Sequence, residues 1–341
     1  MLLECHCRRK TTFSLPSGNP NFQPNTMFHL LFILSILLSL GSASSRGFNH
    51  LHQVYQFPNG TWVENIAVRQ NGNLLVTLGN TPELWEVMLS AHPKNSSASL
   101  VHHFDDAEQA TGMAELSPDV FAISTPDTVW KVDLNGDREK SPERIATLPA
   151  GTLNGMALLN AERGFVVISD SQAGLVWRLD TTTGEYTVIL KDETMAANRQ
   201  LGLLLGINGL RVKDGYVYYA NTPKRLLCRI PVDMDGQPLG PAQIISRGAL
   251  VDDFAVDHEM AYLAGLSDNV VYKVFLNNGT HEIAAGNRNS TVLMSATSAA
   301  FGRLPGPKTL FVTTGGEVDH PVNNTRSLGG RVMALGLGLD S

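Results

Sequence analysis

Residues 154–158 read NGMAL, and a similar five-residue pattern begins five other segments of the chain. Each copy has a polar residue first, a small or polar residue second, and mostly apolar residues after them. The copies are ENIAV at 64–68, TGMAE at 111–115, NGMAL at 154–158, NGLRV at 208–212, DDFAV at 252–256 and TSAAF at 297–301. Successive copies are 47, 43, 54, 44 and 45 residues apart. Because this is the length of a four-stranded propeller blade, we call these segments repeat starts and predict six blades.

The segments that follow each repeat start are typical of further strands. The second strand of a repeat reads as an apolar run, such as NLLVTL at 73–78, and the third alternates apolar with polar residues, as in LVWRLDT at 175–181. The last repeat ends before a fourth strand, and LHQVYQF at 51–57 is a spare strand that could complete it. We therefore predict an all-β, six-bladed propeller over 44–341, closed by its own N-terminal strand, because an open ring would leave sheet edges exposed. An open β-sandwich is the alternative, but it does not explain six matched repeat starts.

The N-terminus has the pattern of a secretory signal. The apolar run LLFILSILLSL at 30–40 is too short to span a bilayer comfortably, and Gly41 and Ala43 suit a cleavage site after Ala43. Met27 stands where a signal peptide usually begins, so we interpret 1–26 as an upstream extension and 27–43 as the signal peptide. An uncleaved membrane anchor is the alternative. The prediction is a secreted protein that is free of the membrane once the signal is removed. Five glycosylation sequons agree with it, at Asn59, Asn95, Asn278, Asn289 and Asn323.

Composition and charge exclude some functions. The chain has 341 residues, 43% hydrophobic and 17% charged, as in ordinary folded proteins. Its net charge of −6 would become −8 without residues 1–43, and no basic stripe is present, so nucleic-acid binding has no electrostatic support. Cys228 would then be the remaining cysteine, and we read it as a small buried hydrophobe.

In a propeller the innermost strand of each blade lines a central channel, so the six first residues of the repeat starts should meet at one mouth. They are Glu64, Thr111, Asn154, Asn208, Asp252 and Thr297. Two carboxylates and two carboxamides at one place favour a bound hard cation such as Ca²⁺, because buried carboxylates are otherwise costly. Asn65 and Asp253, next in sequence, could add ligands or support them. The alternative is a polar channel filled with water.

These segments resemble the channel motifs of the gluconolactonase/regucalcin superfamily, and most closely its fungal secreted members. The resemblance covers residues 51–338 and implies that Glu64, Asn154, Asn208 and Asp252 bind the metal, with Asp252 beside a catalytic water or acting as the base. Two motifs depart from the family. Its Glu-Gly-Pro reads Glu64-Asn65-Ile66 here, and its Pro-Asp-Gly reads Val251-Asp252-Asp253. These departures argue against a sugar-lactone substrate.

Two loops are expected to surround this mouth. The segment 192–206 is rich in leucine, including Leu203, Leu204 and Leu205, which predicts either a cover over an apolar ligand or a short helix packed on blades three and four. The loop 313–330 contains His320, which could be a general base or merely solvated. We take Asp252, Asn154 and His320 as candidate catalytic residues. The candidate substrate-binding residues are Thr111, Thr297, Leu203, Leu204, Leu205 and Asn221.

Three functions fit these features. The first is joining two apolar, unsaturated partners in the channel, since some fungal propellers that look like this chain are hetero-Diels–Alderases of tropolonic sesquiterpenoid pathways. The second is Ca²⁺-dependent hydrolysis of a lactone or ester. The third is non-catalytic binding of a small molecule. The apolar loop and the altered motifs favour a small hydrophobic secondary metabolite over a sugar lactone as the substrate. The resemblance to the hetero-Diels–Alderases, which accounts for a secreted, glycosylated propeller with an apolar loop, places the first function ahead of hydrolysis.

Overall fold

A computed structural model of the chain describes residues 50–90, 92, 95–136, 141–318 and 328–338. Within these residues, twenty-four strands form six antiparallel sheets of four strands each. Each sheet begins with one repeat start as its innermost strand and proceeds outward in chain order, except that the outermost strand of the sixth sheet is the N-terminal β1. The all-β, six-bladed propeller predicted from the sequence is confirmed.

The strands are assigned to blades as follows. The chain begins with β1 (Leu51–Gln56). Blade 1 contains β2 (Val63–Val68), β3 (Leu74–Leu78), β4 (Glu83–Met88) and β5 (Ser97–His103), and blade 2 contains β6 (Met113–Ser117), β7 (Val120–Ser124), β8 (Thr128–Asp133) and β9 (Glu143–Thr147). Blade 3 contains β10 (Leu153–Asn160), β11 (Phe165–Asp170), β12 (Leu175–Asp180) and β13 (Tyr186–Lys191), and blade 4 contains β14 (Ile207–Lys213), β15 (Tyr216–Asn221), β16 (Leu226–Pro231) and β17 (Gln243–Arg247). Blade 5 contains β18 (Phe254–Val256), β19 (Met260–Gly265), β20 (Val270–Phe275) and β21 (His281–Gly286), and blade 6 contains β22 (Ala296–Phe301), β23 (Thr309–Thr314) and β24 (Arg331–Gly336) together with β1.

Burial falls from the second strand of a blade to the fourth, as the sequence patterns predict. All five residues of β3 are buried, whereas the first three residues of the outermost strand β13 are exposed. The third strand β12 lies between them, with buried residues interrupted by the half-buried Arg178 and Asp180. Continuous apolar runs therefore form strands covered on both faces, and alternating ones form strands near the rim.

The ring closes between the two ends of the chain. Strand β1 pairs antiparallel with β24, from Leu51 opposite Leu335 to Gln56 opposite Arg331. The bond from Phe57 N to Gly330 O, at 3.0 Å, extends this pairing by one step. The predicted closure is confirmed, and β24 is no longer a sheet edge.

The core is divided among the blade interfaces. The described residues contain six hydrophobic clusters, one between each pair of adjacent blades. Val167 and Tyr219 share the cluster between blades 3 and 4, and Val76 and Val332 share the one between blades 6 and 1. Cohesion therefore comes from neighbouring blades, and the channel residues are left available for other roles.

Cys228 is a buried residue of the cluster between blades 3 and 4, as expected. Burial raises the pKa of its thiol to about 11. The thiol therefore stays protonated and acts as a small apolar side chain.

The segments 1–26 and 27–43 lie outside the described residues, so the upstream extension and the signal peptide stay predictions. In the part of the chain that the structure describes, no helix is long and apolar enough to cross a membrane.

Candidate functional site

The first residues of the repeat starts lie at one end of the innermost strands, which we call the upper mouth of the channel. Glu64, Asn154, Asn208 and Thr297 each stand one residue inside their strands, while Thr111 and Asp252 stand two residues before theirs. The innermost strands of adjacent blades contact one another around the ring. The six polar residues are therefore arranged around one axis.

Asn208 and Asp252 form a direct contact at the upper mouth. Asn208 Nδ2 donates to Asp252 Oδ1 at 2.5 Å and also to Thr222 Oγ1 at 2.9 Å. Both side chains are more than nine-tenths buried. Backbone bonds fix the pair, since Gly209 N donates to Asp252 O at 3.0 Å. In this orientation the Asn208 amide nitrogen is used as the donor, and its Oδ1 does not take part in the contact with Asp252.

Glu64 is held by a tryptophan that the sequence did not single out. Trp62 Nε1 donates to Glu64 Oε2 at 2.6 Å. The Trp62 indole packs directly against Gly79 of blade 1 and Gly315 of blade 6, where a Cβ on either glycine would overlap the ring. Glu64 is therefore presented by a side chain wedged between the first and last blades.

Two of the predicted substrate-binding residues connect neighbouring blades. Thr111 Oγ1 donates to Leu153 O at 2.9 Å, and Thr297 Oγ1 donates to Val63 O at 2.7 Å. Both threonines are almost fully buried. Their hydroxyls thus have a structural use, and their contact with substrate stays a prediction.

Asn154 differs from its neighbours at the upper mouth. It is half-buried, and its side-chain amide has no hydrogen-bond partner among the described residues. It is therefore a polar group that can contact a ligand without breaking a bond within the protein.

The four predicted metal ligands offer a donor set suited to a hard cation. The set consists of two carboxylates and two carboxamides, and the structure brings Asn208 and Asp252 into contact. Asn208 Oδ1 accepts no hydrogen bond from the described residues. Those residues contain no group of three or more histidine, cysteine or acidic side chains placed to bind a metal. A set with only two acidic members is consistent with that finding, and its chemistry fits Ca²⁺ at modest charge.

Below the upper mouth, Asp253 connects four blades. Asp253 Oδ2 accepts from Arg211 Nη2 at 2.7 Å, from Ser298 Oγ at 2.8 Å and from Asn65 Nδ2 at 3.1 Å, while Oδ1 accepts from Phe254 N at 2.8 Å. Only 5% of the Asp253 side chain is exposed. These five residues form what we call the Asp253 hub. Because the carboxylate has its full set of donors and its own cation, it supports the strands rather than binding a metal.

The sequence analysis missed Arg211 and Ser298, although a signal existed for Arg211. At the fourth position of the repeat starts, five copies have alanine and the fourth copy has Arg211. A single long cation among five alanines marks a position where the ring departs from its repeat.

The segment 192–206 contains the predicted short helix, while its role as a cover over an apolar ligand stays a prediction. A short 3-10 helix at Glu193–Met195 buries Met195 completely in the cluster between blades 3 and 4. The chain then forms a hairpin, in which Asn198 and Leu205 exchange backbone bonds of 2.8 and 3.1 Å. We call 198–205 the leucine flap, because Leu201, Leu203 and Leu204 are 44%, 71% and 37% exposed on it.

Asn221 supports the base of the leucine flap. Its Nδ2 donates to Thr194 O at 2.9 Å and to Ala196 O at 3.2 Å, and its Oδ1 accepts from Lys224 N. Asn221 is fully buried. Its predicted contact with substrate stays a prediction, and the structure adds a positioning role.

Comparison with known proteins finds relatives both by sequence and by structure. No family model matches the chain. A protein of a Phoma species named "Putative hetero-Diels-Alderase" is 28% identical over 310 residues, covering 79% of this chain and 87% of that protein. A protein of the same description from Sarocladium schorii is 27% identical over 310 residues, covering 77% of each chain. Among solved structures, the calcium-binding protein regucalcin of Agrobacterium tumefaciens has a TM-score of 0.63 at 17% identity, covering 85% of this chain and 94% of that one.

The fold of this chain is a six-bladed propeller similar to that of regucalcin. Its two departures from the gluconolactonase motifs acquire a structural meaning in that fold. Asn65 and Asp253 stand where those motifs have glycine, and they are joined across the channel in the Asp253 hub. Asn65 and Asp253 are therefore hydrogen-bonded to each other and place polar side chains in the middle of the channel.

The remaining predictions on this regucalcin-like propeller concern its surface. His320 and Asn323 lie outside the described residues, so their roles stay predictions. The asparagines of the other four sequons, Asn59, Asn95, Asn278 and Asn289, are exposed. Their positions are compatible with glycan attachment, which stays untested.

Proposed function

We propose that this protein is a biosynthetic enzyme that holds two apolar, unsaturated partners at the upper mouth and joins them by a hetero-Diels–Alder cycloaddition. The observation that carries the proposal is the similarity, over more than three quarters of the chain, to two proteins named for that reaction. In such a reaction two σ bonds form as three π bonds rearrange, and no proton or electron is supplied from outside. The protein's task is to orient the partners and polarise one of them.

The upper mouth has the groups that this task needs. The leucine flap supplies exposed apolar side chains of the kind that would cover a hydrophobic substrate. Asn154 supplies an amide donor with no partner among the described residues, which could bind a carbonyl oxygen of the heterodiene. As charge builds on that oxygen in the transition state, the hydrogen bond would strengthen and lower the barrier.

The test of this function is a stereochemical one. The full chain is incubated with an electron-poor heterodiene and an apolar alkene, and products are separated on a chiral column. We expect the protein to accelerate the reaction and give one stereoisomer, and Asn154→Ala to lower the rate by roughly tenfold, the value of one hydrogen bond to a developing charge. A racemic product formed at the rate of buffer alone would contradict the proposal.

A second candidate is metal-dependent hydrolysis of a lactone or ester, favoured by the Asn208–Asp252 contact. A bound cation would polarise the substrate carbonyl, and Glu64, Asn154, Asn208 and Asp252 would hold it. Asp252 would then accept the proton of the attacking water. Loss of activity after both EDTA treatment and Asp252→Asn would support hydrolysis. A cycloaddition that persists with EDTA would limit the metal to a structural role, and activity indifferent to every variant would leave a binding protein.

We further propose that Ca²⁺ binds at the upper mouth and that the protein is secreted and glycosylated. The oxygen donors at the mouth and the four exposed sequons support these proposals. Calorimetric titration with Ca²⁺ should show one site that is lost in Asp252→Asn. Treatment of the secreted protein with an N-glycosidase should lower its apparent mass.

A further inference from the structure

The far end of the channel contains a cavity of about 460 Å³. Its walls come from all six innermost strands, at the fourth and fifth residues of every repeat start and at the third residue of four of them, with Arg303 at the rim. We call this cavity the lower chamber. Its volume lies within the range of small-molecule binding sites, about 300–1,000 Å³.

Small side chains create the space. The fourth position of the repeat starts forms one level of the ring, and there the lower chamber is lined by Ala67, Ala114, Ala157, Ala255 and Ala300. The remaining member of this level is Arg211. Residues such as Met156, Leu158 and Phe301 make the adjoining walls apolar.

Arg211 brings a cation to the inner end of this chamber. Its Nη1 donates to Leu210 O and its Nη2 to Asp253 Oδ2, each at 2.7 Å. These are its hydrogen bonds within the described residues, and they use two of the five N–H donors of a guanidinium. The side chain is 21% exposed, so part of the cation faces the chamber.

The charges of the lining favour an anion. Arg211, Arg303 and Glu115 are the charged residues of the lining, and Arg303 pairs with Glu115 at 2.5 Å. The lining therefore has a net charge of +1. Asp253 lies outside the lining and balances the charge of Arg211, so an anion would be held by the three guanidinium N–H groups of Arg211 that have no partner among the described residues.

The hub also separates the lower chamber from the upper mouth. Asn65, Asp253 and Ser298 occupy the second position of the repeat starts, between the two levels. Where this position is Gly209, a Cβ would overlap the Asp253 carboxylate, so the strands approach too closely for a side chain. A ligand in the chamber would thus bind without entering the proposed catalytic site.

We propose that the lower chamber binds a small monocarboxylate with an apolar chain. The carboxylate accepts hydrogen bonds from Arg211, and the chain packs against the alanine level and the apolar walls. The unused guanidinium N–H groups match the carboxylate oxygens, and the apolar body matches the remaining surface. The inference does not depend on the reaction proposed for the upper mouth.

Isothermal titration of the full chain with decanoate tests this proposal, with decanol as the neutral probe of equal chain length. We expect decanoate to bind and decanol to bind at least tenfold more weakly, because hydrogen bonds to a charged group carry much of the affinity. Arg303→Met removes a positive charge at the rim and should weaken decanoate binding several-fold. The double variant Arg211→Met, Asp253→Asn should weaken it by roughly tenfold or more without leaving a buried carboxylate unpaired.

Two control variants locate the bound probe. Arg144→Met removes an exposed cation of the outer strand β9 and should not change the titration. The flap variant Leu203→Ser, Leu204→Ser should leave decanoate binding intact even if it abolishes the cycloaddition. Equal binding of decanol, unchanged binding in the double variant, or loss of binding in the flap variant would each overturn the proposal.

Discussion

The two ends of the channel are built from the same six strands and yet differ in chemistry. The upper mouth has carboxylates and carboxamides at the first position of four repeat starts and threonine in the other two. The lower chamber has alanine at the fourth position of five of them, three residues or about 10 Å further along the strand. The backbone repeats, so the difference comes from which level of the repeat contains polar side chains. A propeller can therefore present two unlike sites on one axis, provided that something divides them.

The Asp253 hub is what divides them, and its charge balance is the most sensitive part of the comparison. Arg211→Met would leave the Asp253 carboxylate buried without its cation. We expect a loss of about 3–5 kcal/mol in the free energy of unfolding, the usual cost of breaking a buried ion pair. Urea denaturation measures it, and Arg144→Met is the matched control.

The double variant shows whether the charge or the packing causes that loss. With Asp253→Asn added, Asn65 and Ser298 can still donate to the new amide oxygen, and most of the stability should return. A double variant as unstable as Arg211→Met would mean that the arginine acts through its bulk, and that the hub is not an electrostatic partition.

The Trp62 wedge gives the next largest effect, and it should be confined to the upper mouth. A Cβ at Gly315 would overlap the indole, so Gly315→Ala must displace Trp62 and with it Glu64. Overpacking of this kind costs about 1–3 kcal/mol. Thermal unfolding and Ca²⁺ titration should both be altered, while decanoate binding in the lower chamber should stay as it is.

Gly136 is the control for that substitution. A Cβ at Gly136 would meet nothing within 4 Å, so Gly136→Ala should change neither stability nor Ca²⁺ binding. If Gly315→Ala behaves like Gly136→Ala, the indole is not fixed by close packing and Glu64 is not positioned through it.

The leucine flap should affect activity without affecting stability. Leu203 and Leu204 are exposed, so Leu203→Ser, Leu204→Ser should leave the free energy of unfolding within about 0.5 kcal/mol. If the flap covers an apolar substrate, the cycloaddition rate should fall by roughly tenfold, which corresponds to about 1.4 kcal/mol. Rates measured with a hydrophobic alkene and with a more polar one test whether the flap contacts the apolar substrate, because only the rate with the hydrophobic alkene should then depend on the flap. An unchanged rate with both would remove the flap from the site.

The sequence predicts those features of the fold and the site that a short, repeated stretch of chain determines. The blades and their closure by β1 are visible in the sequence because each innermost strand repeats one pattern, and because the last repeat lacks a fourth strand that the segment 51–57 can supply. The members of the upper mouth follow from the same repeat, since they share the first position.

The features that escaped prediction depend on how the blades pack against one another. Arg211 reaches Asp253 on the next blade, and Trp62 depends on Gly315 in the last blade. Ser298, Gly315 and Trp62 have no signal of their own in the sequence, because serine, glycine and tryptophan are also common in turns and strands. For Arg211 the sequence did contain a signal, because the other five repeat starts have alanine at the same position. The short helix of 192–206 was predicted as one of two alternatives, but nothing in the sequence of that segment indicated the hairpin that follows it.

The smallest expected effect comes from the second arginine of the lower chamber. Arg303 pairs with Glu115 at 2.5 Å, closer than Arg211 to Asp253, but 42% of its side chain is exposed against 21% for Arg211. Solvent screening should hold the cost of Arg303→Met below about 1 kcal/mol. Urea denaturation of Arg303→Met beside Arg211→Met then compares two ion pairs of one chamber that differ in burial. Equal losses of stability would show that burial of the ion pair does not determine its contribution. The stability of the Asp253 hub would then have to be explained by the number of hydrogen bonds at Asp253.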